Sequence, residues 1–123
     1  MKARELRIGN YVTVEHPRHG EKFIEVESVT NDTINMEFRP YYLGELQPIP
    51  LTEEWLLKFG FEKVKSRYEE AETFDYVLQP LYFDMANTSV KINGVYQKIN
   101  YPEYVHQLQN LYYSLTGEEL CTT

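Results

Sequence analysis

The stretch PIPLTEEWLLKFGF, Pro48 to Phe61, holds both a helix start and a helix stop. Thr52 has the chemistry of an N-cap, and Glu53 and Glu54 follow it in the first turn, where the helix dipole favours negative charge. Leu51 and Leu56 take the N′ and N4 places of a hydrophobic staple. Gly60 suits the C′ position that ends a helix in the left-handed region. Between these signals, Trp55, Leu56, Leu57 and Phe59 leave a two-turn helix apolar on most sides, so most sides must be covered. The one tryptophan of the chain is therefore expected to plug a core rather than present a platform to a ligand.

On the N-terminal side of this helix the pattern is that of short strands. LRIGNYVTVEH turns at Gly9-Asn10 and then alternates, with Val12 and Val14 facing one way and Tyr11, Thr13 and Glu15 the other. HPRHG is a loop, KFIEVESV a further strand, and TND a turn into TINMEF, which makes a hairpin. Arg39-Pro40 breaks that strand, and YYLGELQPI supplies one more extended piece. On the C-terminal side, FEKVKSRY and FDYVLQPLYFDM read as strands, with Pro80 forcing an edge, a bulge or a break in the second. TSVKINGVYQKI carries the strongest local signal: Asn93-Gly94 is the preferred dipeptide of a type I′ hairpin, setting Ile92 against Val95 and Lys91 against Tyr96.

The last element, YPEYVHQLQNLYYSLTG, has Pro102 suited to N1, Glu103 to the first turn and Gly117 to C′. Val105, Leu108, Leu111, Tyr112 and Leu115 form an apolar stripe, with Glu103, Gln107, Asn110 and Ser114 opposite. The order of strands, short helix, strands and longer helix predicts an α+β protein. Its sheet is mainly antiparallel or an SH3-like partial barrel, with one short central helix and one C-terminal helix. The length of 123 residues suits a single domain spanning 1–123. No repeat, low-complexity segment or linker interrupts it.

Composition excludes several functions. A net charge of −7 disfavours direct nucleic-acid binding, which rests on lysine and arginine neutralising phosphates. It keeps the protein soluble and suits a basic partner. The single cysteine, Cys121, makes neither an internal disulfide nor a thiolate metal site. MKARELRIGN lacks the apolar run of a signal peptide and no stretch approaches a membrane span, so a cytoplasmic, membrane-free protein is expected.

No phosphate-cradling glycine pattern, nucleophile elbow or HExxH motif occurs. His16 and His19 lack a third metal ligand nearby, and HPRH reads as a solvated loop. His106 reads as a surface or helix-boundary histidine. A Cys121–His106 nucleophile pair would sit on a fraying tail. No catalytic residue, metal or cofactor is therefore assigned. Glu69, Glu70, Glu72 and Asp75 crowd together, with a solvated loop favoured over a cation or phosphate-mimicking site. Tyr41-Tyr42 and Tyr112-Tyr113 cannot both point inward, so one of each pair reaches the surface, where tyrosine favours recognition.

Three phrases, ELRIGNYV, PIPLTEEWLLKFGFEKV and YVHQLQNLYYSLTGEEL, together resemble a family of small proteins of Bacteroidales gut bacteria, their phages and integrated elements. They cover about a third of the chain. The resemblance brings no catalytic residues. It implies a bacterial or phage cytoplasm and an accessory role in phage–host conflict. Separately, LRIGNYV is similar to the opening of small SH3-like barrels.

The expected function is non-catalytic binding of a protein, one version being inhibition of a host defence protein through an acidic, tyrosine-bearing surface. Tyr41, Tyr42, Tyr96 and Tyr113, with Glu69, Glu70 and Glu72, are the candidate contact residues. The alternative is a binder of a small signalling nucleotide, for which Arg39 beside Tyr41 and Lys91 opposite Tyr96 would supply cations and stacking.

Overall fold

The computed structural model describes residues 6–16, 20–26, 28–29, 33–36, 39–42, 46–65, 73–85, 89–97 and 101–120. Of these, 14–16, 20–24, 28–29, 33–36 and 39–42 enter by their backbone alone. The chain is α+β, and every strand pairing among the described residues is antiparallel. No closed barrel occurs among them. Two compact units emerge: Met1–Leu51 with Glu103–Glu119, and Thr52–Pro102 with Leu120–Thr123.

The first unit contains β1 (Tyr11–His16), β2 (Gly20–Glu25), β3 (Ser28–Val29), β4 (Thr33–Met36), β5 (Arg39–Tyr42) and β6 (Leu46–Gln47). They form two three-stranded sheets, ordered β2-β1-β6 and β3-β4-β5. The hairpin expected across TND is present as β3 against β4, with Val29 opposite Ile34. Arg39-Pro40 is not the break expected: β4 is described to Met36, and Arg39 and Pro40 belong to the next strand, β5, opposite Met36 and Asn35. In β1 both Val12 and Thr13 are buried, so alternation does not separate an inner from an outer face there.

The unit's helix, α2, runs Val105–Thr116, later than a Pro102 start would place it. The residues before it are committed elsewhere. The Leu51 N–H donates to the Glu103 carbonyl at 2.9 Å and the Val105 N–H to the Ile49 carbonyl at 2.8 Å, around a Pro50–Tyr104 bridge. A backbone extended for that bridge cannot also be helical. The Gln107 side chain accepts from the Glu103 and Tyr104 N–H groups and so satisfies donors at the helix start. Gly117, at φ 73°, ends the helix where expected.

The buried face of α2 differs from the expected stripe. Val105, His106, Leu108 and Gln109 are buried, whereas Leu115 is exposed. His106 is therefore no surface residue: it is 2% exposed, and its ring stacks on Tyr104 with centroids 6.0 Å apart. A stripe drawn from apolar residues alone misses a polar side chain such as Gln109, whose hydrogen-bond partners, the Tyr11 N–H and the Gly9 carbonyl, are fixed by the fold.

The second unit contains α1 (Glu53–Lys58), β7 (Glu62–Lys65), β8 (Phe74–Leu78), β9 (Leu81–Asp84), β10 (Ser89–Ile92) and β11 (Val95–Gln97). The strands form one sheet ordered β11-β10-β9-β8-β7. Thr52 stands at the N-cap with an extended backbone, though its side chain makes no capping bond. At the other end Gly60, at φ 93°, donates to the Leu57 carbonyl and Phe61 to the Leu56 carbonyl. Those two bonds are the Schellman pattern, so the stop is built as PIPLTEEWLLKFGF implies. Trp55, Leu56, Phe59 and Phe61 are all buried, and Phe61 stacks on Phe83 at 5.3 Å. Tyr76, Leu81 and Val90 complete the buried set on this face of the sheet.

Glu53 ties α1 to the sheet. Its Oε1 accepts from the Tyr76 hydroxyl at 2.8 Å and pairs with Lys63 Nζ at 2.6 Å. The Lys63 contact, then Tyr76, holds the Glu53 carboxyl below the ordinary range. Burial, and then the Glu53 carboxylate, push the Tyr76 phenol up to about 12. The folded chain thus keeps a proton that the unfolded chain releases near pH 10. Stability from this group is intact below pH 10 and declines as pH rises toward 12. Alkaline unfolding should therefore be steeper in the wild type than in Tyr76→Phe over that window, followed by circular dichroism.

Pro80 resolves as a break: Gln79-Pro80, a cis peptide, is the two-residue turn that sets Leu78 against Leu81. The Asn93-Gly94 hairpin has the expected register, with φ of 52° and 81°. Gly94→Val should lower the melting midpoint, because a β-branched residue is strongly disfavoured at positive φ. Gly94→Asn should cost less, and equal midpoints for the two variants would refute the backbone argument.

Candidate functional site

The five-stranded sheet has two different faces because side chains alternate along each strand. Tyr76, Leu81, Phe83 and Val90 lie on the apolar face. The opposite face carries a row across three strands: Tyr82 of β9 pairs with Lys91 of β10, which pairs with Tyr96 of β11. The Gln79-Pro80 and Asn93-Gly94 turns fix the pairing of β8 with β9 and of β10 with β11. Placement of these side chains together is thus a direct result of register.

Lys91 Nζ lies 4.5 Å from the Tyr96 ring centroid and 5.0 Å from that of Tyr82. Beside this row are two aspartates. The Tyr82 hydroxyl donates to Asp75 Oδ2 at 2.6 Å, and the Tyr96 hydroxyl to Asp84 Oδ2 at 3.0 Å. The Met85 N–H also donates to Asp75, through Oδ1 at 3.1 Å. Both aspartates are only 1% exposed, whereas Tyr96 is 45% exposed and its neighbour Val95 63%. The site therefore consists of half-open aromatic rings whose hydroxyls are anchored to buried carboxylates.

This corrects the reading of Asp75. It belongs to β8, is buried and accepts two hydrogen bonds, so it is not part of a solvated acidic loop. A buried carboxylate on this face of the sheet is tolerable because its oxygens accept hydrogen bonds. Tyr82 and Asp84 were not singled out from sequence. Counting back from the Pro80 turn places Tyr82 opposite Val77, but its relation to Lys91 depends on a β9–β10 pairing that no local motif announces.

Of the remaining expected contact residues, Tyr113 alone has a described side chain. Tyr113 is in the other unit, 41% exposed, with the Arg7 guanidinium 4.2 Å above its ring. Its neighbour Tyr112 is half-buried, as the paired tyrosines require. Arg39, Tyr41 and Tyr42 lie along β5, where the backbone alone is described. Glu69, Glu70 and Glu72 lie outside the described residues, as do His19 and Cys121. Among the described residues no group of three or more histidine, cysteine and carboxylate side chains is placed to hold a metal ion. No helix among them is long and apolar enough to cross a membrane.

In chemical terms each aspartate already receives a phenol hydroxyl, an arrangement that fixes ring orientation. The rings offer large, amphipathic contact area with little rotamer freedom left to lose on binding. The chain matches no family model, no curated protein and no solved structure.

Proposed function

We propose that this chain is a non-catalytic binding protein that recognises a protein partner through the Tyr82–Lys91–Tyr96 face of its five-stranded sheet. The observation that supports the reading is the anchoring of two exposed-side tyrosines by buried aspartates. Anchoring lowers the entropy cost of ordering these rings in an interface. Tyrosine is also the residue type that dominates such contacts. The net charge of −7 favours a partner with a basic surface. The sequence resemblance favours a phage or gut-bacterial setting, and inhibition of a host defence protein is the specific version of this reading.

Sequestration of a small nucleotide is the second reading. Lys91 beside two aromatic rings supports it, since a base needs stacking and a phosphate a cation. The same geometry weighs against it: the Lys91 ammonium already lies over both ring faces, where a base would have to stack.

Native mass spectrometry of the protein from cell extract separates the two readings by the mass retained. A protein partner at fixed stoichiometry is expected, lost in Tyr96→Ser. That variant also takes a hydrogen bond from the buried Asp84, so its melting midpoint should fall, and binding is compared at a temperature where circular dichroism shows both proteins folded. A retained nucleotide, or a partner retained equally by Tyr96→Ser, contradicts the proposal.

A further inference from the structure

We propose that the Tyr82–Tyr96 pair is a receptor for an alkylammonium or guanidinium group of a protein partner, and that the chain's own Lys91 fills it in the free protein. The inference rests on the sheet face being the recognition surface and adds the chemistry received there.

One ammonium meets two ring faces at once, at 4.5 and 5.0 Å, both within the range where the ring quadrupole attracts a cation. Among the described residues Lys91 forms no ion pair. Its charge is therefore met by the rings and by the potential of the two aspartates behind them. Each phenol donates its proton toward a carboxylate, which polarises the ring and makes its face more attractive to a cation. Burial of both carboxylates keeps their field from being fully screened.

These features select for charge sign and approximate size, and none of them is specific to a lysine on the same sheet. Lys91 sits on a flexible four-carbon stem, so it can leave without rearranging the backbone. The Tyr96 ring is reachable from solvent at the edge strand β11. A basic partner, drawn by the acidic chain, brings lysine and arginine side chains to this place. Lys91 then acts as an internal competitor, and its removal should strengthen binding of an external cation.

Lys91→Met keeps most of the stem and removes the charge. Tetramethylammonium chloride is titrated into both proteins at constant ionic strength, followed by the ring resonances of Tyr82 and Tyr96. The variant should show saturable shifts at both rings, with an affinity roughly tenfold above the wild type. tert-Butanol, compact and uncharged, should produce none. Shifts of equal size with tert-butanol, or no saturable response in a folded Lys91→Met protein, would overturn the proposal. If that variant does not fold, Lys91→Gln carries the same test. Because no partner is present, this result is independent of the native mass measurement. Partner loss in Tyr96→Ser without tetramethylammonium binding would remove the receptor and keep the recognition surface.

Discussion

Trp55→Ala is expected to destabilise the protein by about 3–5 kcal/mol, the range for truncating a large buried aromatic side chain. The ring is 8% exposed, lies 5.7 Å from Phe59 and is covered in part by Lys58, whose Nζ is 5.1 Å from its centroid. Its helix, Glu53–Lys58, is far below the length at which a helix persists alone in water. Helix formation and ring burial must therefore occur together, and removing the ring removes much of the reason for the helix. Leu57 provides the internal control: one turn of the same helix, apolar, but 46% exposed. Leu57→Ala should cost well under about 1 kcal/mol. Denaturant unfolding of both variants gives the comparison. Similar small losses would mean that Trp55 is a contact residue on the surface.

The local elements were legible where one short stretch contains its own start and stop. Thr52 to Gly60 and Ile92 to Val95 are such cases, because capping and turn chemistry act over a few residues. Legibility failed where a residue's environment comes from far along the chain. Asp75 looks solvated beside its sequence neighbours, yet Tyr82 and Met85 satisfy it across a turn. Pro102 looks like a helix start, yet Tyr104 is extended and the backbone groups of Glu103 and Val105 on either side of it are bonded to Leu51 and Ile49. The candidate site shows both sides. The NG turn predicts Lys91 opposite Tyr96, while the third member, Tyr82, depends on strand pairing, and hydrophobic periodicity carries no record of pairing order.

Gln109 is the clearest instance of a long-range constraint, and Gln109→Leu is expected to cost about 2–5 kcal/mol. Its side chain is fully buried. The amide oxygen accepts from the Tyr11 N–H at 2.8 Å, and the amide nitrogen donates to the Gly9 carbonyl at 2.9 Å. A neighbouring strand would satisfy residues i and i+2 in the same way, so one side chain of α2 continues the ladder that β6 makes along β1 only at Thr13 and Val14. Leucine matches much of the volume and leaves both part-buried backbone groups without their amide partner, at up to about 1–3 kcal/mol each. Arg7 reinforces the junction by donating to Asn110, Glu119 and the Gln109 carbonyl, while Asn10 also donates to Asn110. These residues all lie in ELRIGNYV and YVHQLQNLYYSLTGEEL, which the hydrogen bonds join across about 100 positions of sequence. Their joint presence therefore has a structural cause, independent of any binding role. Gln109→Glu distinguishes lost hydrogen bonds from lost packing. A neutral glutamic acid can still accept from Tyr11 and donate to Gly9, whereas the carboxylate meets the Gly9 carbonyl without a proton. Its folded-state pKa must therefore rise, so stability should be near the wild type at acidic pH and fall as pH increases through that value. A Gln109→Glu variant whose stability relative to the wild type is the same at pH 4 and pH 8 would refute the amide bridge.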